Sequence, residues 1–253
     1  MNIESNPASR LHRLLTDLLQ GEPNEHILSA WARVLGVTDR GDIEVARRLV
    51  LLNDLLDDAE QSIKLNPALN HKMYLACFPQ IRAVLTPLQI SARKDELIIP
   101  QLTSEVMTRL EFCAEALQQG WSEVEITLDD LQAISNDLNA LVELVAASSI
   151  DIRLRRALLE ALEGVRLSVS LYRIFGAKGL KKNLQGLIGL VFTERTELKN
   201  AAETHAGFID RLGTLMDKID SLAATALKVH KVLFKPIFLL IGLGTESDPS
   251  ASD

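Results

Sequence analysis

Aromatic residues are scarce in this chain: only 11 of its 253 residues are Phe, Tyr or Trp. Strands favour aromatic and β-branched side chains, so this scarcity argues against a sheet-based fold. Leucine, a good helix former, is abundant, with 45 copies. We therefore predict an all-α protein, a multi-helix bundle of about eight or nine helices with one long C-terminal helix that carries a heptad pattern.

Cysteine is nearly absent, and the two copies are Cys77 and Cys113. Two cysteines cannot form a disulfide framework or a four-cysteine zinc site. Both lie in apolar segments, where a free thiol behaves as a small buried hydrophobe. We predict reduced thiols in the core, which is the usual state in the cytosol.

The chain also lacks a long apolar run. No stretch of about 18 uncharged apolar residues is present, which argues against a conventional transmembrane helix. The first ten residues, MNIESNPASR, contain no apolar segment of the kind found in secretory signals. We therefore expect a cytoplasmic protein.

The sequence motifs of common enzymes are missing. The patterns GxSxG, HExxH, GxxxxGK[ST] and GxGxxG do not occur. The five histidines are scattered, and no two have the i, i+4 spacing that places two imidazoles on one helical face. We predict a protein that is not an enzyme, with no cofactor and no metal site. An active site built from unremarkable polar residues stays an open alternative.

Prolines and glycines divide the chain into segments with helical apolar spacing. The interval from Pro87 to Pro100 is the most loop-like internal stretch, and we expect a boundary there. Thr127 and Asp130 form a capping pair that predicts a helix start. We predict four parts: an N-terminal helical lobe (1–92), a middle helical bundle (93–193), a long helix with an apolar C-terminal segment (194–245) and a disordered acidic tail (246–253).

The clearest pattern is a heptad repeat that begins at Leu198. The a positions are Leu198, His205, Leu212, Ile219, Ala226 and Leu233, and the d positions are Ala201, Phe208, Leu215, Leu222 and Val229. This pattern predicts a helix over about 195–235 that packs in the manner of a coiled coil. Ile209 and Met216 widen the stripe, which favours packing within the chain, with self-association through this helix as the alternative.

Charge is distributed unevenly along the chain, although the net charge is -7. Residues 1–150 contain 22 acidic and 12 basic residues, whereas residues 151–253 contain 12 acidic and 15 basic residues. The basic excess is largest over 151–182, and we predict a surface there that binds an anionic partner. The predicted partner-binding residues are Arg153, Arg155, Arg156, Arg166, Arg173, Lys178, Lys181 and Lys182. Mutual attraction with the acidic 105–143 region, or simple solvation, is the alternative.

The partner is expected to be a protein. Nucleic acid is disfavoured because the chain is acidic overall and has few aromatic residues for base stacking. Two amphipathic segments, 178–192 and 232–244, combine apolar side chains with nearby lysines, which is also typical of interfacial membrane helices. We therefore predict a helical interaction protein that binds a protein partner, with self-association as a further option. The alternative, which we favour less, is a membrane-active effector that uses these two segments.

Overall fold

The computed structural model describes residues 4–38, 41–204 and 206–232, and over these residues the protein is all-α, as predicted. The described strands, β1 (Glu4–Ser5) and β2 (Glu123–Val124), contain two residues each. The chain groups into two compact units, Met1–Glu123 and Val124–Asp253. The four-part division stays a prediction, and its acidic tail lies outside the described residues.

The first unit contains mostly short helices. They are α1 (Pro7–Leu19), α2 (Ile27–Leu35), α3 (Gly41–Lys64), α4 (His71–Tyr74), α5 (Phe78–Val84), α6 (Lys94–Gln101), α7 (Ser104–Ala116) and α8 (Gln118–Trp121). Leucines of α1 and α3 and the ring of Trp31 are fully buried. Burial of this apolar area is the main contribution to the unit's stability.

The second unit contains longer helices. They are α9 (Leu128–Ala147), α10 (Ile152–Ser170), α11 (Tyr172–Thr193), α12 (Arg195–Thr204) and α13 (Ala206–Ala226). The predicted count of about eight or nine helices is not confirmed. One reason is that several of the helices are short, such as α4 and α5, which a 3₁₀ turn at Leu75–Cys77 separates.

A short polar side chain caps the first turn of two helices in the second unit, α9 and α10. Thr127 Oγ1 accepts a hydrogen bond from the backbone N–H of Asp130 (3.1 Å) at the start of α9. Asp151 caps α10 by accepting from the N–H groups of Arg153 (2.8 Å) and Leu154 (3.2 Å), and these bonds lower the pKa of its carboxyl. Such caps satisfy backbone donors that have no partner within the helix.

The expectation that Pro87 to Pro100 forms a loop is wrong for its second half. Helix α6 covers Lys94–Gln101 and contains Pro100 in its last turn, where only one backbone hydrogen bond is lost. The helix is held by a tertiary contact, because the fully buried Lys94 donates from Nζ to the carbonyl of Gln20 (2.8 Å). No local sequence pattern indicates this contact.

The long helix predicted over 195–235 is not confirmed, because α13 ends at Ala226. Lys228 adopts a left-handed conformation (φ 55°), and the N–H of Val229 returns to the carbonyl of Ala224 (2.9 Å). This is the backbone arrangement of a helix C-cap, and it ends the helix six residues before the last described residue. As a result Val229, predicted at a buried d position, is 50% exposed. His205 and Leu233 lie outside the described residues.

The apolar stripe of α13 nevertheless packs inside its own unit. Leu212, Met216 and Ile219 are fully buried in one core with apolar residues of α9, α10 and α11. Each such side chain stabilises the fold by about 1.5–3 kcal/mol. The described residues of α13 therefore pack within the chain, as the broad apolar stripe indicated.

Two glycines near the start of α11 have different roles. Gly176 interrupts α11 with φ 61° and ψ −167°, a region that is essentially restricted to glycine. Gly179 is regular helix, but a methyl group there would overlap Cβ of Phe175. The departure from helical geometry is thus confined to Gly176, and regular helix resumes at Ala177.

We predict that Gly176→Ala lowers the free energy of unfolding by about 1–3 kcal/mol, because alanine is strained in this backbone conformation. Gly186→Ala is the matched control, since Gly186 is helical and a methyl group there meets no neighbouring atom. That control should be neutral or stabilising by up to about 1 kcal/mol. Urea denaturation of both variants measures the difference, and equal stabilities would contradict the assigned conformation of Gly176.

Candidate functional site

The eight predicted partner-binding residues lie on two adjacent helices. Helix α10 carries Arg153, Arg155, Arg156 and Arg166, and helix α11 carries Arg173, Lys178, Lys181 and Lys182. The two helices pack against each other and run in opposite directions, as a short turn requires. Gly164 faces Asn183, because a methyl group on Gly164 would lie 3.2 Å from Asn183 Oδ1.

This register separates the cations into two groups. Thirteen residues separate Arg153 from Arg166, which at 1.5 Å per residue is roughly 20 Å along the helix. Arg153, Arg155 and Arg156 therefore lie at the far end of the α10–α11 hairpin. The other five residues lie at its turn, and we refer to Arg166, Arg173, Lys178, Lys181 and Lys182 as the turn cluster.

Two cations at the far end of the hairpin already have partners. Arg155 Nη1 donates to the carbonyl of Ser148 (3.1 Å), the residue that ends α9, where a cation also complements the helix dipole. Arg156 Nε donates to Glu160 (2.8 Å) one turn further along α10, and this contact raises the pKa of Arg156. The sequence-based set therefore overstates the cationic charge available there.

The turn cluster has the stronger excess of positive charge. No acidic residue occurs within α11, so its cations are not balanced on their own helix. Arg173, Lys178 and Lys182 are exposed. Arg166 is also exposed but pairs with Glu163 (2.8 Å) on α10. Cations that are concentrated on one exposed surface attract anionic partners over roughly 8 Å at physiological salt.

Lys181 is the least exposed cation of the turn cluster, and its partner lies on another helix. Its ammonium lies 3.8 Å from a carboxylate oxygen of Asp220 on α13, and its side chain is only 21% exposed. Asp220 is 2% exposed and also accepts a hydrogen bond from the backbone N–H of Val232 (2.5 Å). Asp220 thus fixes both α11 and the segment after α13. Sequence reasoning missed it, because the residue after a heptad a position is expected to face solvent.

The first unit contains a cavity. A cavity of about 480 Å³ is lined by Met73, Tyr74, Ser104, Glu105, Thr108, Arg109 and Phe112. Arg109 and Glu105 form an ion pair at this surface (2.8 Å). The lining comes from two segments thirty residues apart in sequence, so no local pattern indicates the cavity.

The described residues contain no group of three or more His, Cys, Asp or Glu side chains that is placed to bind a metal ion. Within the same residues, no helix is both long and apolar enough to cross a membrane. Comparisons with protein-family models, curated proteins and solved structures found no match to this chain. Function therefore has to be inferred from the residues themselves.

The contact between Lys181 and Asp220 predicts that two neighbouring lysines respond differently to charge reversal. Lys181→Glu places a carboxylate beside the buried Asp220 and should lower the free energy of unfolding by roughly 2 kcal/mol. Lys182→Glu is the matched control, because Lys182 is exposed, and should change it by less than about 0.5 kcal/mol. Thermal denaturation monitored by circular dichroism compares the two, and equal effects would exclude a structural role for Lys181.

Proposed function

We propose that this chain is a non-enzymatic helical interaction protein of the cytoplasm, and that its turn cluster binds an acidic segment of a protein partner. The observation that carries this proposal is the charge of α11. It has four basic and no acidic residues, and three of the basic side chains are exposed. A surface of this kind accelerates association with an oppositely charged partner and restricts which partners bind.

The orientation of α11 supports a peripheral, charge-based contact. Its apolar residues Leu180, Leu184 and Leu187 are fully buried in the core of the second unit. The side chains left for a partner are therefore mainly polar and basic. Arg and Lys at an exposed surface bind carboxylates through charge-assisted hydrogen bonds.

The membrane-active alternative requires α11 to leave this core. Removing the three buried leucines from their neighbours would cost about 1.5–3 kcal/mol for each side chain before any lipid contact forms. Segment 232–244 lies outside the described residues except for Val232. Self-association through α13 would have to use exposed side chains of this helix, because its apolar stripe is buried within the second unit. Both stay alternatives, and the binding experiment distinguishes the membrane-active one from the proposed function.

Charge reversal at the turn cluster tests the proposed function. The variant carries Arg173→Glu, Lys178→Glu and Lys182→Glu, which spare the structural Lys181. A matched control carries Arg47→Glu, Lys64→Glu and Lys72→Glu, exposed residues of the first unit, and has the same net charge. Cross-linking capture from the native cell, followed by mass spectrometry, identifies partners of the full chain.

We expect the full chain and the control variant to capture partners that contain acidic segments. The turn-cluster variant should not capture these partners, and their binding to the full chain should weaken as salt increases. Helical circular dichroism should be unchanged in all three proteins. Equal capture by the turn-cluster variant would contradict the proposal. Flotation of the full chain with anionic lipid vesicles at high salt would instead favour the membrane-active alternative.

A further inference from the structure

The fold brings the two cysteines together although 36 residues separate them in sequence. Cys77 ends the 3₁₀ turn after α4, and Cys113 lies in α7. Their sulfur atoms lie 3.8 Å and 3.3 Å from the same acceptor, the carbonyl oxygen of Tyr74. The prediction of buried free thiols is confirmed, since Cys77 is 1% and Cys113 0% exposed.

The two thiols have different acidities. When Cys77 is ionised, a hydrogen bond from the Cys113 thiol to the Cys77 thiolate is the main cause that lowers the pKa of Cys77, and the positive charge of Arg109 acts in the same direction. The same hydrogen bond, together with burial, raises the pKa of Cys113. Because the thiolate is the reactive form, Cys77 is the better nucleophile and Cys113 the proton donor.

The cavity of the first unit lies next to this pair, although neither cysteine lines it. Tyr74 and Arg109 line the cavity, and both also contact or influence the thiols. Phe112, another lining residue, precedes Cys113 in α7. A solute the size of hydrogen peroxide is far smaller than the cavity volume of about 480 Å³.

From this geometry we infer that Cys77 and Cys113 form a dithiol–disulfide pair that is oxidised by hydrogen peroxide entering from the cavity. In the first step the Cys77 thiolate attacks one peroxide oxygen, an S–O bond forms and the O–O bond breaks. The leaving hydroxide takes up a proton to become water, and Cys77 becomes a sulfenic acid.

In the second step the sulfur of Cys113 attacks the sulfur of Cys77. The S–S bond forms, the S–O bond breaks, and the thiol proton of Cys113 leaves with the hydroxyl group as a second water. The balance is two thiols and one peroxide in, and one disulfide and two waters out. Two equivalents of a small thiol such as glutathione reverse the reaction by exchange and become oxidised to their own disulfide.

Oxidation would also change the hydrogen bonding of Tyr74, a residue that lines the cavity. In the reduced protein the Tyr74 carbonyl has two thiols as hydrogen-bond donors. The disulfide has no S–H groups, so this carbonyl would lose both donors while Tyr74 still forms part of the cavity wall. The redox state of the pair would therefore change the hydrogen bonding of a residue that lines the cavity.

Peroxide treatment of the reduced full chain tests the inference without any substitution. We expect intact mass to fall by two hydrogens, titratable thiols in denaturant to fall from two to none, and a non-reduced digest to contain the Cys77 and Cys113 peptides joined. Unchanged thiols, added oxygen without hydrogen loss, or a disulfide between two chains would each overturn the inference.

Single substitutions assign the roles. Cys113→Ser should accumulate a sulfenic acid at Cys77 that a dimedone probe labels, whereas Cys77→Ser should leave Cys113 unlabelled. The opposite labelling would overturn the assignment.

A second pair of variants tests the route through the cavity. Thr108→Trp narrows the cavity and should slow disulfide formation. Glu115→Trp, at an exposed position of α7 outside the cavity, should not. Equal rates would overturn the proposed route.

Discussion

Burial of the apolar face of α11 against α10 and α13 determines which side chains of the second unit remain for a partner. Leu184 and Leu187 are fully buried, and Lys181 at the edge of this face pairs with Asp220. Because the apolar area is removed from water, the exposed surface of the helix is dominated by Arg173, Lys178 and Lys182. The proposed recognition of an acidic partner depends on this packing, and the membrane alternative requires that it be undone.

The amphipathic repeats made much of the fold predictable. The abundance of leucine indicated an all-α fold, and the side chain of Thr127 marked the start of α9. The sequence-based predictions of helix bounds were wrong where a tertiary contact overrides the local sequence pattern. The heptad repeat continues past Ala226, but the helix stops there because Lys228 turns the chain and Asp220 binds the N–H of Val232. Helix α6 forms across Pro100 because the buried Lys94 fixes it.

The candidate site was less predictable than the fold. The sequence located the basic residues but not their grouping, because the antiparallel register of α10 and α11 places Arg153 and Arg166 at opposite ends of the hairpin. It also gave no indication that Lys181 has a buried partner. The cysteine pair shows the same limitation, since two apolar segments 36 residues apart contain nothing that identifies Tyr74 as the shared acceptor of Cys77 and Cys113.

Native-state hydrogen exchange of α11 tests the packing that underlies the proposed function most directly. The account predicts that backbone amides over 180–191 exchange only through global unfolding of the second unit, because they lie in a helix whose apolar face forms the core. Their protection should be unchanged when anionic lipid vesicles are added. Rapid exchange over this segment, or loss of its protection on the vesicles, would show that α11 readily leaves the core and would contradict the account.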